Sequence, residues 1–475
     1  MQTTKTDFEL RPLIHFTPQQ GFMNDPNGLC KYKDTYFLFF QHNPTEITHG
    51  NTHWGMAVST DLLHWQQRAP AILPDDADGF IFSGSGIVDH CNCSRLKNGP
   101  DDPILLFYTG TGFRTPPKAA SDKEAEPEPR LLPATRQCIA YSLDGGQTFV
   151  KYTKNPILPQ YAPLNRDPKV NYVPEADAFA MALYLKDNRF KLFWSENLLE
   201  WVEGQELELP GCAECPDLFR LKVDGNPDSP KWVLFASPEN YVLGHFQGRV
   251  FMPETGVIVG SMARAFGTHR AFTDCPAYAP QTFYAPQEDR VIQLSWIPTH
   301  FPGMPFQGQM SLPWELELVT TPEGIRLKKQ PAAEAEHLRK REIHCTATDC
   351  AALNESLRSK ETSPFRRMHT EAKEMCLDAV LGNDGRLTFA IRGVVVSYDH
   401  KHHRLLFPTG EYSLPIYGNK LDLRIIVDRG SVELFACQGL FNCVLNTPLD
   451  TGHTEVEFYA LEHASADVRL YELGL

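Results

Sequence analysis

The stretch Phe22-Met23-Asn24-Asp25-Pro26-Asn27-Gly28 puts a carboxylate, two amides, a proline and a glycine within seven residues. Pro26 fixes its own φ and Gly28 is free to take a left-handed backbone. The residue types therefore describe a stiff turn with Asp25 at its tip. Apolar, strand-like residues follow at once, Leu29-Cys30-Lys31-Tyr32 and then Tyr36-Phe37-Leu38-Phe39-Phe40. Taken alone, the stretch is equally an ordinary Asx turn entering a strand. Two more acids, however, stand within two residues of a proline just ahead of a strand-like run. Arg166-Asp167-Pro168 precedes residues 169–172, and Glu214-Cys215-Pro216 precedes Leu218-Phe219-Arg220. Proline in that place suits a residue that opens a strand.

Converging carboxylates, with no metal-ligand spacing and no Ser/His/Asp set, suit glycoside hydrolysis. In its retaining form one carboxylate attacks the sugar while a second gives and later takes a proton. The neighbouring residues fit a sugar pocket, with Asn24, Gln41 and Arg166 as polar ligands and Trp54, Phe82 and Trp296 as apolar walls. Ser83-Gly84-Ser85-Gly86 and Gly110-Thr111-Gly112 do not open helices, so a phosphate-binding loop is rejected.

These acids need elements that bring them to one place. Short runs rich in Phe, Tyr, Trp, Val and Ile alternate with Gly, Pro, Asn and Asp through the first two thirds of the chain, an all-β signal. A weak repeat lies over it. Ser59-Thr60-Asp61-Leu62-Leu63-His64-Trp65 is echoed by Ser195-Glu196-Asn197-Leu198-Leu199-Glu200-Trp201, and more loosely by Ser142-Leu143-Asp144-Gly145-Gly146-Gln147-Thr148-Phe149. Repeated four-strand units read as propeller blades, expected over residues 29–65, 82–152, 170–201, 218–251 and 283–318. In a propeller the first strand of each blade lines the central channel, so acids at equivalent strand ends would meet at one mouth. Residues 114–136, rich in Pro, Glu and Lys, read as a solvated insertion. Thr320-Thr321-Pro322-Glu323-Gly324 reads as a break and residues 332–341 as a short charged connector. From residue 342 the alternating strands describe a β-sandwich. The expected organisation is a propeller over 1–320, a linker over 321–341 and a sandwich over 342–475.

Composition bounds the partners. The 475 residues are 42% hydrophobic and 11% aromatic, ample for packed cores. A formal net charge of -14 argues against nucleic acid or an anionic membrane as partner. No stretch is long and apolar enough to cross a bilayer, and Met1-Gln2-Thr3-Thr4-Lys5-Thr6-Asp7 has no apolar leader. A cytoplasmic setting is expected, or secretion if a leader precedes this sequence. The twelve cysteines are expected to be reduced and mostly buried. Cys91-Asn92-Cys93 and Cys212-Ala213-Glu214-Cys215 lack a second pair at zinc spacing, so neither metal nor cofactor is expected.

Met23-Asn24-Asp25-Pro26-Asn27-Gly28, Phe82-Ser83-Gly84-Ser85, Arg166-Asp167-Pro168 and Glu214-Cys215-Pro216 together resemble the motifs of glycoside hydrolase family 32. His53-Trp54-Gly55, Tyr278-Ala279-Pro280-Gln281-Thr282-Phe283 and residues 427–435 extend the resemblance from His15 to the C-terminus. It implies a five-bladed β-propeller followed by a C-terminal β-sandwich. It also implies that Asp25 is the nucleophile, Glu214 the general acid/base, and Asp167, beside Arg166, the stabiliser of the transition state. Asn24, Gln41, Phe82, Ser83 and Trp296 match positions that shape the fructose site. Glu214 is expected to be kept protonated by repulsion from Asp25 and Asp167, and Asp25 to stay ionised. Phe22 stands where the family has Trp, His49 replaces a Trp at the pocket rim, and Trp314 replaces an Arg. These departures bear on substrate preference. The resulting expectation is a retaining β-fructofuranosidase acting on sucrose or short fructo-oligosaccharides. Alternatives are an exo-inulinase or levanase, a sucrose-6-phosphate hydrolase, a fructosyltransferase, and a silent fructan-binding protein.

Overall fold

The structure is a computed structural model that describes residues 10–112, 134–261, 263, 276–284, 290–361, 371–449 and 455–475. Five four-stranded units run in chain order. The first is Gly21–Tyr32, Thr35–Asn43, His53–Ser59 and Gln66–Ile72. The second is Ile81–Val88, Ile104–Gly110, Arg136–Ser142 and Val150–Lys151, and the third is Arg166–Val173, Ala178–Lys186, Arg189–Ser195 and Val202–Glu208. The fourth is Glu214–Val223, Asn226–Ser237, Asn240–Gln247 and Val250–Pro253. Tyr278–Phe283, Val291–Ile297, Trp314–Thr321 and Gly324–Pro331 make the fifth. The first strands of successive units lie side by side, and that of the fifth closes on that of the first, giving a five-bladed propeller. Most of the insertion expected at 114–136 lies outside the described residues.

The sequence repeat proves to be one turn used three times between the third and fourth strands of a blade. Asp61 Oδ1 accepts the N–H groups of Leu63 and His64, Asn197 Oδ1 those of Leu199 and Glu200, and Asp144 Oδ1 those of Gln147 and Thr148. The residue after each acid or amide, Leu62, Leu198 or Gly145, takes a left-handed φ of 66°, 66° or 72°. Side-chain acceptance of two backbone donors is what lets leucine hold that conformation.

Each pair of adjacent blades buries its own apolar cluster. Phe39 and Trp54 of the first blade pack with Ile81 and Tyr108 of the second, and Phe107 meets Val170, Met181 and Phe193. Trp194 packs near Trp232 and Phe246, Phe235 near Leu316, and Phe40 near Leu294 closes the ring. Each such side chain contributes about 1.5–3 kcal/mol on leaving water, so burial between blades holds the ring together.

The expected break at 320–324 is instead the tip of a hairpin. Trp314–Thr321 pairs residue by residue with Gly324–Pro331, so the fifth blade runs to Pro331 and no linker begins at 321. The connector is a single 3-10 helix, Ala333–Leu338. Beyond it nine strands among the described residues fold into two layers around one core of Met375, Leu377, Phe389, Ile425, Leu434, Phe458 and Val468 among others. Lys373–Ile391 and Val456–Leu473 pass from one layer to the other at a register shift between Leu381 and Arg386. A helix, Cys350–Glu361, interrupts the strands where none was expected.

A buried ionic knot ties this sandwich to the propeller. His15 lies between Asp428 and Glu433, with both ring nitrogens 2.9 Å from a carboxylate oxygen. Asp428 also accepts the N–H groups of Leu13 and Ile14, and Glu433 those of Leu312 and the Trp314 indole. Burial alone would lower the imidazole, but hydrogen bonds to both carboxylates win and push it up to about 9. Trp314 therefore belongs to the domain junction, packed with Phe435, and bears on that junction rather than on substrate preference.

Candidate active site

The first strand of every blade carries an extra residue near its start. Met23 to Pro26 is matched by His42 to Phe40, and Arg166 to Lys169 by Tyr184 to Ala182. Glu214 to Asp217 is matched by Ser237 to Phe235, Tyr278 to Gln281 by Trp296 to Leu294, and Ile81 to Gly84 by Gly110 to Tyr108. In each case three steps along the inner strand oppose two on its neighbour. Such bulges re-aim side chains and sharpen the local twist. Asp167, Cys215 and Ala279, the second residues of three of them, take left-handed φ values of 63°, 51° and 48°.

This corrects the expectation of acids at matching positions. Glu214 is the first residue of its bulge, Asp167 the second and Asp25 the third. Nor is Asn24–Gly28 a turn: it lies inside the strand Gly21–Tyr32. The acids meet because the bulges stagger them around one mouth. Cys215, 2% exposed, marks the meeting point, its Sγ 3.8 Å from Asp25 Oδ2 and 3.7 Å from Asp167 Oδ2.

Each carboxylate has different partners. Asp25 accepts from Ser83 Oγ at 2.6 Å and from Asn24 Nδ2 at 3.1 Å. Burial pushes its carboxyl up to about 6, against those two bonds and with help from the charge of Glu214. That is higher than a carboxylate at an open turn would show, yet it leaves Asp25 largely ionised at neutral pH. Asp167 accepts the backbone N–H of Cys215 at 3.1 Å, and its own N–H donates to Thr109 Oγ1. Burial raises its carboxyl too, opposed by Arg166 at 3.7 Å. Glu214 is clamped on both oxygens. Arg166 donates to Oε2 through Nε at 3.0 Å and Nη2 at 2.6 Å, and the Tyr278 hydroxyl donates to Oε1 at 2.8 Å. The expected like-charge surroundings of Glu214 are thus answered by a cation. Arg166 is itself held by the Leu164 carbonyl and by the Tyr184 ring, 4.6 Å beneath its guanidinium.

Gln41 stands across the strand pair from Asn24 and Asp25, between the partners of Met23 and Pro26. Asn24 Oδ1, Gln41 Nε2 and Trp296 Nε1 are buried without a hydrogen-bond partner among the described residues. Polar atoms so placed are suited to ligand hydroxyls. Trp296 packs with Cys215 and Tyr278, and Phe22 meets it edge-on at 6.0 Å. His49 continues that row 6.0 Å beyond Phe22, exposed at the rim, although burial of part of the ring lowers its imidazole. Phe82 is half-buried beside Ser83.

Trp54, expected as a pocket wall, is 0% exposed and lies in the core between the first two blades. Its indole donates to the Phe82 carbonyl at 3.0 Å, so it supports the wall from behind. Sequence reasoning left Tyr278 out of the site, although Ala279-Pro280 repeats the residue-proline step of Asp167-Pro168 and Cys215-Pro216. Hollows of about 960 Å³ against the sandwich and about 1290 Å³ at the opposite mouth contain none of the three acids.

The family model "Glycosyl hydrolases family 32 N-terminal domain" matches residues 15–331, the whole propeller to the end of its last hairpin. The chain belongs to glycoside hydrolase family 32. Among curated members of that family it is 30% identical to a levanase of Bacillus subtilis over 91% of this chain and 65% of the levanase. It is 37% identical to an invertase of Schizosaccharomyces pombe over 52% of this chain and 43% of the invertase. The chain thus spans less than two thirds of the length of these relatives. A β-fructofuranosidase from Schwanniomyces occidentalis, solved with fructosyl-erythritol, shares the fold with a TM-score of 0.79 at 24% identity, covering 99% of each chain. An exo-inulinase from Aspergillus awamori does so at 0.77 and 23%, covering 98% of each. Residues 342–475, beyond the family model, are therefore similar in fold to the sandwich of family 32 enzymes.

Proposed function

We propose that the protein is a retaining β-fructofuranosidase that releases the terminal non-reducing fructose of sucrose or short fructo-oligosaccharides. The observation that carries this reading is the staggering of three differently partnered carboxylates around Cys215 in a family 32 chain. Relatives named invertase, levanase and β-fructofuranosidase support a fructoside as substrate.

In this reading Asp25 attacks the anomeric carbon of fructose and forms a glycosyl ester. Glu214 passes its proton to the departing oxygen. A water then gives its proton to Glu214, attacks the same carbon and frees Asp25, so the configuration is retained. Asp167 faces the charge that develops on the ring, and its fixed geometry costs no reorganisation at that moment. Ser83 and Asn24 hold Asp25 by one bond to each oxygen, leaving the remaining lone pairs for the attack. The orphaned groups of Gln41, Asn24 and Trp296 take the sugar hydroxyls. Product analysis on sucrose, sucrose 6-phosphate, kestose, inulin and levan tests the proposal. Fructose from sucrose and kestose is expected; no fructose from any of them refutes it.

A second reading, an exo-acting levanase, is favoured by one observation: the levanase alignment runs over 91% of this chain, through propeller and sandwich alike. Faster release from levan than from sucrose would select it.

A further inference from the structure

We propose that Tyr278 is a positioning residue that holds the proton-bearing oxygen of Glu214, the one Arg166 leaves open, and eases release of that proton. The inference rests on the acid/base reading of Glu214 for its consequence in turnover, but its structural basis is independent. Glu214 Oε2 already receives two N–H groups from Arg166. A guanidinium keeps its protons at any working pH, so neither can pass to a substrate. A mobile proton on Glu214 therefore belongs on Oε1, the oxygen that Tyr278 holds at 2.8 Å.

A phenol suits that place because it is donor and acceptor at once. It donates to Oε1 when Glu214 is ionised, and by turning its O–H it accepts from Oε1 when Glu214 is protonated. The first bond is charge-assisted and the stronger, so the hydroxyl favours release of the proton. The geometry is imposed by the fold. Tyr278 is 3% exposed and is the first residue of its bulge, as Glu214 is in the adjoining blade. It pairs directly with Trp296 across the sheet and packs with Cys215 and Ala279. Burial, with Glu214 beside it, keeps the phenol protonated throughout the working range.

The test compares the parent with Tyr278→Phe and with a protein carrying 3-fluorotyrosine at 278, an isosteric and stronger donor. Carbon-13 in the glutamate carboxyl reports titration directly, the Glu214 signal being the one lost in Glu214→Gln. Loss of a hydrogen bond to a charged group predicts that Tyr278→Phe moves the midpoint upward by about one pH unit. The fluorinated side chain should move it downward. In turnover, the alkaline limb of kcat/KM should follow the same order. kcat for sucrose should fall about tenfold in Tyr278→Phe with KM little changed, and an activated aryl fructoside should be spared. Coincident midpoints in all three proteins, or a change only in melting temperature, would overturn the proposal. Ordered midpoints in a parent that cleaves no fructoside would refute the enzymatic reading and leave the hold of Tyr278 on Glu214 standing.

Discussion

Replacing Asp25 by asparagine should abolish turnover and, at neutral pH, make the protein more stable. Asp25 is ionised in a site that disfavours charge, its carboxyl raised from 3.8 to about 6, mainly by burial. The interval of about 2 pH units, at about 1.4 kcal/mol each, is about 3 kcal/mol that the folded protein forgoes above pH 6. Because the folded carboxyl binds its proton more tightly than the unfolded one, this cost is absent well below pH 3.8. It grows as pH rises from there to about 6, and is constant above. The substituted amide would keep both bonds, its oxygen accepting from Asn24 and its NH2 group donating to Ser83, while removing the charge. The variant should therefore melt roughly 5 °C above the parent at pH 8, a difference shrinking to about one degree at pH 4. Activity on sucrose should fall by about three orders of magnitude. Scanning calorimetry of both proteins at pH 8, 6 and 4, with a fructose assay on each sample, measures all of this. A stability gain that does not depend on pH, or none at pH 8, would show that Asp25 is not a desolvated charge. A folded variant keeping more than a few per cent of activity would remove it from the nucleophile role.

Three other outcomes are expected. kcat/KM for sucrose should fall as pH drops through about 6, where Asp25 takes up its proton; a profile flat from pH 7 to pH 5 contradicts this. His15→Gln leaves two buried carboxylates without their shared cation and should cost about 3–5 kcal/mol, read by denaturant titration. In the parent that contribution is fully present below pH 6.5 and is lost as pH rises through about 9, so parent and variant should converge at alkaline pH. His49→Trp restores a larger ring at the rim beside Phe22 and should lower KM for sucrose; an unchanged value would place the leaving group elsewhere.

The propeller was legible because its signals are local. Ser59–Asp61, Ser142–Asp144 and Ser195–Asn197 each close their own turn through a side chain reaching backbone N–H groups a few residues on. A contact that spans so few residues leaves its mark in the sequence. The three acids were legible by type and by the proline beside two of them. The domain boundary is not legible there, because Pro322-Glu323-Gly324 carries the same residues whether it ends a domain or turns a hairpin. Only pairing of Trp314–Thr321 with Gly324–Pro331 distinguishes the two.

What the amino-acid sequence determined by itself was the chemistry at hand: Asp25, Asp167 and Glu214, a β architecture of repeated blades, and the family to which they belong. Tertiary structure alone decided how those acids differ. Five bulges, each the product of pairing between neighbouring strands, turn Glu214 toward Arg166 and Tyr278, and Asp25 toward Ser83 on the next blade. Those partners lie 48, 64 and 58 residues away in the chain. Burial likewise sets the proton affinity of Asp25 and moves Trp54 from wall to core, and it depends on what packs above each residue. A residue's type is written in the chain; the field it sits in is the sum of distant neighbours, which exist only once the ring of blades has closed.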